Sequence, residues 1–376
     1  MDAGNEKKKE QQRLLIKVTR YGWPLWFLVV VIIVTLGGCS QLNYYRQAAA
    51  GQWHLLSQRR DIQELIAAEQ SPESLQQQLK LVQTIRDFAS NELLLPDNRS
   101  YRTYADVKRS YAVWNVVAAP VLSAEPLTWC FPVAGCVPYR GYFDQEAAQQ
   151  FARQLLDQGH DVHVYGVPAY STLNWFDDPV LNTFIHYPQP YLAALIFHEL
   201  AHQQLYIKDD GRFNESFAQT VEMAGVARWL KSRQQEDSLA AFKQYKSRQQ
   251  QFVDLVLQTR QELDNLYRSD IPEAAQLAGK EDLLRVFRQR YADLKQQWNG
   301  DGRFDSWVER PLNNSHFALV ATYHYYVPAF TALLAQHEGN LQRFYQAAAA
   351  LAALPKPERH AALQSLASVE VTEAAH

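Results

Sequence analysis

Residues 197–222, FHELAHQQLYIKDDGRFNESFAQTVE, constrain the fold more than any other stretch of this 376-residue chain. They contain His198, Glu199 and His202 in the pattern His-Glu-x-x-His. On an α-helix, positions i and i+4 lie on one face about one turn apart, so both imidazoles can meet one metal ion. The preceding apolar segment, YLAALIF, predicts a buried helix, where such residues are costly unless they are paired or bound to a metal. The alternative is a structural His–Glu cluster.

Two acidic residues follow on the next predicted helix, which begins after a short KDDGRF turn and is expected to be capped by Asn214. Glu215 lies in its first turn, and Glu222 lies two turns further, roughly 10 Å away along the axis. Both are not expected to bind one zinc ion, because zinc–carboxylate bonds are about 2 Å long. Three protein ligands leave a fourth position for water, as in catalytic zinc sites. Glu199 would then act as the general base, which predicts a zinc hydrolase and, within that class, a peptidase.

The first 38 residues have the pattern of an export signal. Basic side chains up to Arg20 precede an apolar run at 23–36, which is shorter than the roughly 20 residues of a transmembrane helix but fits a signal-peptide core. The run ends in L-G-G-C at Cys39 and resembles a bacterial lipobox, which predicts cleavage after residue 38 and lipidation of Cys39. An ordinary signal anchor is the alternative. Ser40, rather than Asp, favours the outer membrane facing the periplasm over the inner membrane.

Charge and cysteine content narrow the function further. A net charge of −3 gives no indication of nucleic-acid binding. Besides Cys39 the chain has Cys130 and Cys136, and an oxidising periplasm predicts that these two form a disulfide. The small loop they close would contribute about 2 kcal/mol. Two buried free thiols are the alternative, and a two-cysteine metal site is not expected.

The rest of the chain shows no internal repeat and predicts one helix-rich α+β domain. Within it we expect an N-terminal helical region (39–112), a metallopeptidase core (113–352), and a C-terminal tail (353–376) that is loosely packed. The core should contain short strands between 113 and 170 around a helix at 144–158, a long helical hairpin at 235–298 that breaks near Pro272, and a last helix pair at 312–352.

The motif HELAHQ followed by NESFA resembles the HELAHQ…NEGFA signature of aminopeptidase N-like gluzincins. The resemblance implies a gluzincin-like zinc peptidase core with a small β-sheet, and it makes Glu215 the third zinc ligand. Glu222 is then expected to accept the remaining N–H of a ligand imidazole. The alternative for Glu222 is an ordinary acid on the helix surface.

Gluzincins commonly use a tyrosine or histidine to stabilise the developing oxyanion. The segment NNSHFALVATYHYYVPAF offers such residues, and Tyr323 is our first choice for this catalytic role. A core tyrosine on an aromatic helix is the alternative. The other candidates in the segment are His316, His324 and Tyr326.

A second resemblance covers residues 113–335. VAGCVPYRGYF, VPAYSTLNWFDDP, FHELAHQ, FNESFAQTVE and NN…Y…VPAF together are similar to a family of bacterial zinc-dependent lipoproteins classed as predicted aminopeptidases. VPAYSTLNWF stands where zinc peptidases keep the edge strand that pairs with substrate. Tyr170, Ser171 and Trp175 are therefore expected in the substrate cleft, with buried strand packing as the alternative. Tyr139 and Arg140 are further cleft candidates without an assigned mechanism.

The chain also departs from the gluzincin pattern. Twelve residues separate His202 from Glu215, fewer than in aminopeptidase N-like enzymes, and the G-x-M-E-N segment that binds the substrate's α-amine is absent. Exopeptidase specificity therefore rests on the family resemblance. We expect a zinc metallopeptidase, with aminopeptidase as the favoured subclass, that acts on peptides or proteins and is held at the membrane by its lipid anchor. The alternatives are an envelope endopeptidase and a non-catalytic, zinc-stabilised scaffold or chaperone-like lipoprotein.

Overall fold

A computed structural model gives the fold of most of the chain. It describes residues 42–68, 71–131, 135–169, 171–172, 175–323 and 326–373, with the backbone alone at 321–323 and 368–373. The predicted signal segment and Cys39 lie outside these residues. The chain divides into two units, Met1–His54 and Leu55–His376. In the first, residues 42–54 are helical (α1).

Within the described ranges, no helix combines the length and apolar composition needed to span a lipid bilayer.

The second unit is rich in helices and carries small sheets, which confirms the predicted α+β class. Its helices are α2 (Ile62–Ala67), α3 (Glu73–Asn91), α4 (Gln145–Asp157), α5 (Gln189–Gln204), α6 (Gly211–Ser232), α7 (Glu236–Tyr267), α8 (Glu273–Gln297), α9 (Asp305–Val308), α10 (Asn314–Tyr323), α11 (Val327–Gln336), α12 (Leu341–Ala352) and α13 (Lys356–Glu373). Its strands are β1 (Arg60–Asp61), β2 (Thr103–Ala105), β3 (Val113–Pro120), β4 (Trp129–Phe131), β5 (Gly135–Val137), β6 (Arg140–Tyr142), β7 (His160–Val167) and β8 (Val180–Leu181).

The strands form three small sheets. The largest is antiparallel in the order β6-β3-β7, and its centre is the valine- and alanine-rich β3, which is buried along most of its length. A second sheet has the order β1-β2-β8. The hairpin β4-β5 places Cys130 opposite Cys136, and the predicted disulfide joins them.

Two features of the N-terminal half differ from the sequence prediction. The N-terminal region (39–112) is expected to be helical, yet β1 and β2 lie among its helices and pair with each other. Strands of two and three residues are too short to show an alternating pattern, and β2 is completed by β8, which is distant in sequence. The prediction of a strand within VPAYSTLNWF is also wrong, because the described residues between β7 and β8 form a loop.

The helical predictions in the middle of the chain are confirmed. The helix expected at 144–158 is α4, and its N-cap Asp144 accepts a hydrogen bond from the Ala147 amide. The hairpin expected at 235–298 is formed by α7 and α8, with Pro272 immediately before α8. Its inner faces bury a separate apolar cluster that includes Phe252 and Phe287.

The prediction of a loosely packed C-terminal tail is wrong. Residues after Pro355 form α13, whose Leu363 is fully buried in the main core and whose Arg359 is 5% exposed. Its sequence does not reveal this role, because the anchoring ion pair is made with a residue far away in sequence. The helix pair expected at 312–352 is likewise three helices, α10 to α12.

Candidate metal centre

Helix α5 carries the His-Glu-x-x-His pattern through the core. Pro190 stands in its first turn, where the missing N–H breaks no helical hydrogen bond. Apolar residues cover most of its circumference, as expected of a buried helix. His202 is 8% exposed, and the His198 side chain is 22% exposed. The fully buried apolar residues of α5 include Leu192, Ala193, Ile196, Phe197 and Leu200.

Helix α6 packs closely against α5 and brings Glu215 to the two histidines. The close approach depends on Gly225, since a Cβ there would lie 2.8 Å from Phe197 Cδ2 and 2.7 Å from Leu93 Cδ1. A larger residue would therefore have to displace the side chains of Phe197 and Leu93. The two helices run antiparallel, because Glu215 lies opposite His202 and Gly225 lies opposite Phe197.

The turn between the helices is fixed by polar contacts. Asp210, not the predicted Asn214, is the N-cap of α6 and accepts a hydrogen bond from the Phe213 amide. Asn214 lies inside the helix, and its side chain both donates to the carbonyl and accepts from the amide of Ile207. The cap is one turn earlier than predicted because Asn214 bridges back across the turn.

Asp210 is also held from the C-terminal helix. It is 2% exposed, and its Oδ2 accepts a hydrogen bond from Arg359 Nε at 2.9 Å and lies 3.0 Å from His360 Nε2. A buried carboxylate is stabilised when it is paired and hydrogen-bonded, as it is here. Helix α13 therefore fixes the start of the helix that carries Glu215.

The predicted ligands come together. His198 Nε2 lies 3.4 Å from Glu215 Oε2, and His202 Nε2 lies 3.7 Å from Glu215 Oε1. One donor atom from each of the three residues falls within 4.8 Å of the others. Among the described residues, no other His, Cys, Asp or Glu group of this kind occurs.

These distances fit a small divalent ion. Donors about 2.0–2.1 Å from a tetrahedral zinc ion lie roughly 3.3 Å from one another, close to the observed 3.4 and 3.7 Å. Two imidazole nitrogens and a carboxylate are also a donor set that zinc prefers. The residues present therefore fit zinc in number and type and in two of their three separations, and all three donor atoms lie within 4.8 Å of one another.

Two further side chains support His198: Glu222 of α6 contacts its ring, and Lys246 of α7 pairs with Glu222. The His198 Nδ1 donates to Glu222 Oε2 at 3.1 Å, the contact expected for a carboxylate behind a metal-binding imidazole. Glu222 Oε1 in turn pairs with Lys246 of α7 at 2.6 Å. Although burial alone would raise it, the charge of Lys246 and the bond from His198 hold the pKa of Glu222 at about 2.

His202 differs from His198 in this respect. Its Nδ1 is buried and has no hydrogen-bond partner among the described side chains and backbone. Burial, with His198 nearby, lowers the pKa of His202 to about 4, so its ring is neutral near pH 7 and its Nε2 can offer a lone pair. His198 behaves oppositely: burial would lower its pKa, but Glu215 and Glu222 raise it to about 10. The carboxylates of Glu215 and Glu222 therefore favour a positive charge at His198.

Glu199 lies beside the donor cluster with the properties of a proton carrier. Burial raises its pKa to about 7, against the opposing effect of His198 and with the help of the charge of Glu215. A carboxyl group with a pKa near the working pH can both accept and release a proton. Its position next to His198 on α5 is the one the sequence predicted.

Cavities lie on two sides of the cluster. One, of about 220 Å³, is lined by His198, Glu199, Glu222 and Lys246 together with the aromatic side chains of Tyr187, Tyr191, Phe242 and Tyr245. The other, of about 290 Å³, is lined by Glu215 and by residues of the β5–β6 segment, the start of α6 and the start of α13. We call them the Glu199 cavity and the Glu215 cavity.

Sequence reasoning missed one residue of the site, Lys246, and named another, Tyr139, only as a cleft candidate without a mechanism. Lys246 is spaced four residues from the buried Phe242, and this spacing is the signal that could have placed it on the inner face of α7. Tyr139 lines the Glu215 cavity, and the charges of Glu215 and Glu199 both act on it. Burial and these charges raise the pKa of Tyr139, so its hydroxyl remains a hydrogen-bond donor.

The other predicted residues lie elsewhere or outside the described residues. Tyr323 belongs to α10, but its side chain is not described, and Tyr170 and His324 are outside the described ranges. His316 packs against His163, with ring centroids 4.0 Å apart, and bonds to Asn313.

Tyr326 is 2% exposed and lies beside His360. Ser171 and Trp175 lie in the loop after β7, where Trp175 is 67% exposed and Ser171 bonds to Asp178.

Comparison with known proteins gives a family for the chain. No curated protein and no solved structure matches it. Residues 43–363 match the family described as "Putative aminopeptidase". The match spans α5, α6 and every described residue of the donor cluster, so the chain belongs to this family, whose description names a peptidase.

Proposed function

We propose that this protein is a zinc-dependent metallopeptidase, with aminopeptidase as the subclass that its family favours. One observation carries the proposal: His198, His202 and Glu215 converge on one point, and Glu199 lies beside them. A purely structural zinc site needs no general base, so a partly buried Glu199 with a raised pKa favours an enzyme over a scaffold. The proposal includes a gluzincin-like fold for the zinc peptidase core.

The residues of the site have separate roles. His198, His202 and Glu215 would hold the zinc ion, and Glu222 with Lys246 would keep the His198 ring in position. When bound, zinc polarises the peptide carbonyl and lowers the pKa of the attacking water. Glu199 would accept a proton from that water on its carboxylate and then deliver the proton to the leaving amine.

A second donor is needed for the developing oxyanion. Tyr323 is the candidate from sequence, and Tyr139 is the candidate whose described position borders Glu215. Each tyrosine is to be changed to Phe and the kinetics compared. The residue that stabilises the oxyanion should lower kcat on the order of 10²-fold with little change in KM. If both variants keep wild-type kcat, neither serves.

The central test is Glu199→Gln. The amide has the shape of the carboxylate but accepts no proton, so hydrolysis should fall about 10²- to 10⁴-fold. Zinc content, measured on the purified protein by elemental analysis, should remain one ion per chain. Exposed Glu236 at the start of α7 provides the matched control, Glu236→Gln, which should keep full activity. Equal activity of Glu199→Gln and wild type would contradict the mechanism.

The subclass requires a separate measurement. Peptides with a free amino terminus and the same peptides with a blocked terminus are to be compared as substrates. Cleavage of the free peptides alone supports an aminopeptidase, and cleavage of both supports an envelope endopeptidase. If zinc-loaded protein cleaves neither, the scaffold alternative gains the support that the enzyme loses.

We also propose the location predicted from the N-terminus, namely the outer membrane facing the periplasm, with a lipid on Cys39. The disulfide between Cys130 and Cys136 is in keeping with an oxidising compartment. Cys39→Ser should release the protein from the membrane fraction. Retention of Cys39→Ser in that fraction would instead favour an uncleaved signal anchor. Separation of inner and outer membranes then tests which one carries the wild-type protein.

A further inference from the structure

Helix α1 carries a row of exposed apolar side chains. Leu42, Tyr45 and Trp53 are 70%, 44% and 74% exposed, and Ala49 between them is exposed as well. The four positions follow one another at intervals of three, four and four residues, so they share one face of the helix. We call these four residues the α1 stripe. Single exposed apolar residues are ordinary, but a row of them on one helix face indicates a surface that binds something apolar.

The residue types of the stripe favour the surface of a lipid bilayer. Tyrosine and tryptophan are enriched where lipid headgroups meet the acyl chains, because each combines an apolar ring with an O–H or N–H donor. Arg46 is exposed at the edge of the stripe, next to Tyr45. Its aliphatic stem can lie along the apolar surface while its guanidinium reaches a headgroup phosphate.

The charge of this part of the chain also suits lipid headgroups. Between Ser40 and Arg60 the sequence contains the basic residues Arg46, Arg59 and Arg60 and no Asp or Glu. The whole chain has a net charge of −3, so its acidic residues are concentrated elsewhere. Anionic headgroups attract a basic segment that is held near the membrane surface.

The position of α1 in the sequence keeps it close to a membrane. Cys39, the predicted lipidation site, precedes Leu42 by three residues, which extend over at most about 10 Å. If the apolar run at 23–36 remained as an uncleaved anchor, α1 would still begin six residues after it. A helix over 42–54 is roughly 20 Å long, too short to cross a hydrocarbon core of about 30 Å, so α1 is expected to lie along the surface.

We propose that the α1 stripe is a membrane-docking surface that lies in the headgroup region of a phospholipid bilayer. Trp53 provides a second attachment roughly 16 Å along the helix from Leu42, beyond the N-terminal anchor. Two points of attachment restrict how the chain tilts at the membrane, whereas a single anchor leaves that angle free. This inference rests on the membrane location proposed above and is independent of the peptidase chemistry.

Fluorescence quenching tests the contact with lipid. Full-length protein is purified with its native anchor and reconstituted in vesicles of phosphatidylethanolamine and phosphatidylglycerol, with a thiol-reactive dye on Ala49→Cys or on Ala50→Cys. The dye finds no other free thiol, because Cys39 is acylated in the proposed form and Cys130 is bridged to Cys136. Both alanines are exposed, but Ala50 is rotated about 100° away from the stripe. Spin-labelled lipid should quench the dye at 49 several-fold more strongly than the dye at 50.

Substitution links the quenching to the stripe. Leu42→Gln with Trp53→Gln, added to Ala49→Cys, should lower the quenching to that of the off-stripe position, because the inserting apolar area is removed. Both side chains are exposed, so the circular dichroism spectrum should remain that of wild type. Ile271→Gln with Leu277→Gln is the matched control, since these apolar residues are 41% and 38% exposed and lie outside α1. It should leave the quenching at 49 unchanged.

The outcomes separate the docking surface from the anchor. Equal quenching at 49 and 50 overturns the docking surface, and so does quenching at 49 that survives the loss of Leu42 and Trp53. An apolar environment at 49 that spin-labelled lipid does not quench identifies a protein partner and also overturns it.

The mass of the purified wild type tests the anchor separately. A mass that includes residues 1–38 overturns the lipidation. The comparison of positions 49 and 50 is then repeated in Cys39→Ser protein, which keeps its apolar segment, and stronger quenching at 49 leaves the docking surface standing.

Discussion

Two antiparallel helix pairs in this protein differ in the kind of side chain that they bury. The pair α5–α6 buries polar side chains, whereas the hairpin α7–α8 buries an apolar cluster with rings in contact, such as Phe252 and Phe287 at 6.3 Å. The buried polar residues of α5–α6 are His202, Gln203, Asn214, Ser216, Gln219, Thr220 and Glu222.

The difference indicates that the candidate site and much of the apolar stabilisation lie in different helix pairs. Buried polar groups contribute little net stability and are costly when a partner is lost, so α5–α6 depends on its neighbours. The hairpin gains stability from an apolar cluster that it shares with α9 and α10, which contribute Val308 and Phe317. Lys246, which reaches from α7 to Glu222, connects the two regions.

The largest expected effect is on the apolar cluster of the hairpin, where Phe287 also contacts Trp307 and Phe317. Phe287 is fully buried, so Phe287→Ala should lower the free energy of unfolding by about 3–5 kcal/mol. Zinc affinity under native conditions should remain that of wild type, because no donor is disturbed. Denaturant unfolding and zinc titration measure the two quantities. A parallel loss of zinc affinity would show that the two helix pairs are not separable.

A smaller effect is expected when a side chain of the hairpin that contacts α6 is changed. Lys246→Met removes the cation that holds Glu222, and loss of such a supporting partner typically lowers metal affinity about 10- to 100-fold. Competition with a zinc chelator measures this affinity. Lys243→Met, an exposed lysine one turn earlier on α7, is the control and should leave zinc binding unchanged. Equal affinities for both variants would break the proposed connection.

The smallest effect concerns pH and the polar surroundings of α5. Asp178 is 4% exposed and lies 3.4 Å from Gln203; burial raises its pKa to about 6. The folded state then binds a proton more tightly than the unfolded state, so this group's contribution to stability falls as pH rises from about 4 to 6. The change should be on the order of 1–2 kcal/mol.

Asp178→Asn should remove that part of the pH dependence, measured by urea unfolding at pH 4.5 and pH 7. The same measurement on Asp282→Asn, an exposed acid of the hairpin, should follow wild type. If Asp178→Asn and wild type change in parallel with pH, the carboxyl does not titrate in this range.

The sequence predicted the donor cluster because the pattern is local. His198 and His202 need only helical spacing. A short turn brings the next helix back, and the resemblance to the NEGFA signature selects Glu215 over Glu222. Lys246 and Asp210 carry no comparable local signal. Their roles depend on contacts with residues 24 or more positions away, which periodicity does not reveal.

Fold predictions divided in the same way. Long amphipathic helices such as α7 and α8 were predicted because periodicity accumulates over many turns. Strands β1 and β2 were missed because they are short and are stabilised by pairing distant in sequence. Helix α13 was misjudged because the buried ion pair of Arg359 that anchors it is made with Asp210, which is distant in sequence.

That ion pair sets an order of events in biosynthesis. Asp210 and Arg359 are 149 positions apart, so the residues that form the donor cluster are synthesised long before the arginine that neutralises the cap of α6. Until Arg359 arrives, burying Asp210 would leave an unpaired charge, at a cost of about 3–5 kcal/mol. The nascent chain therefore carries the donor residues well before it carries the arginine that pairs with the buried cap of the helix that holds Glu215.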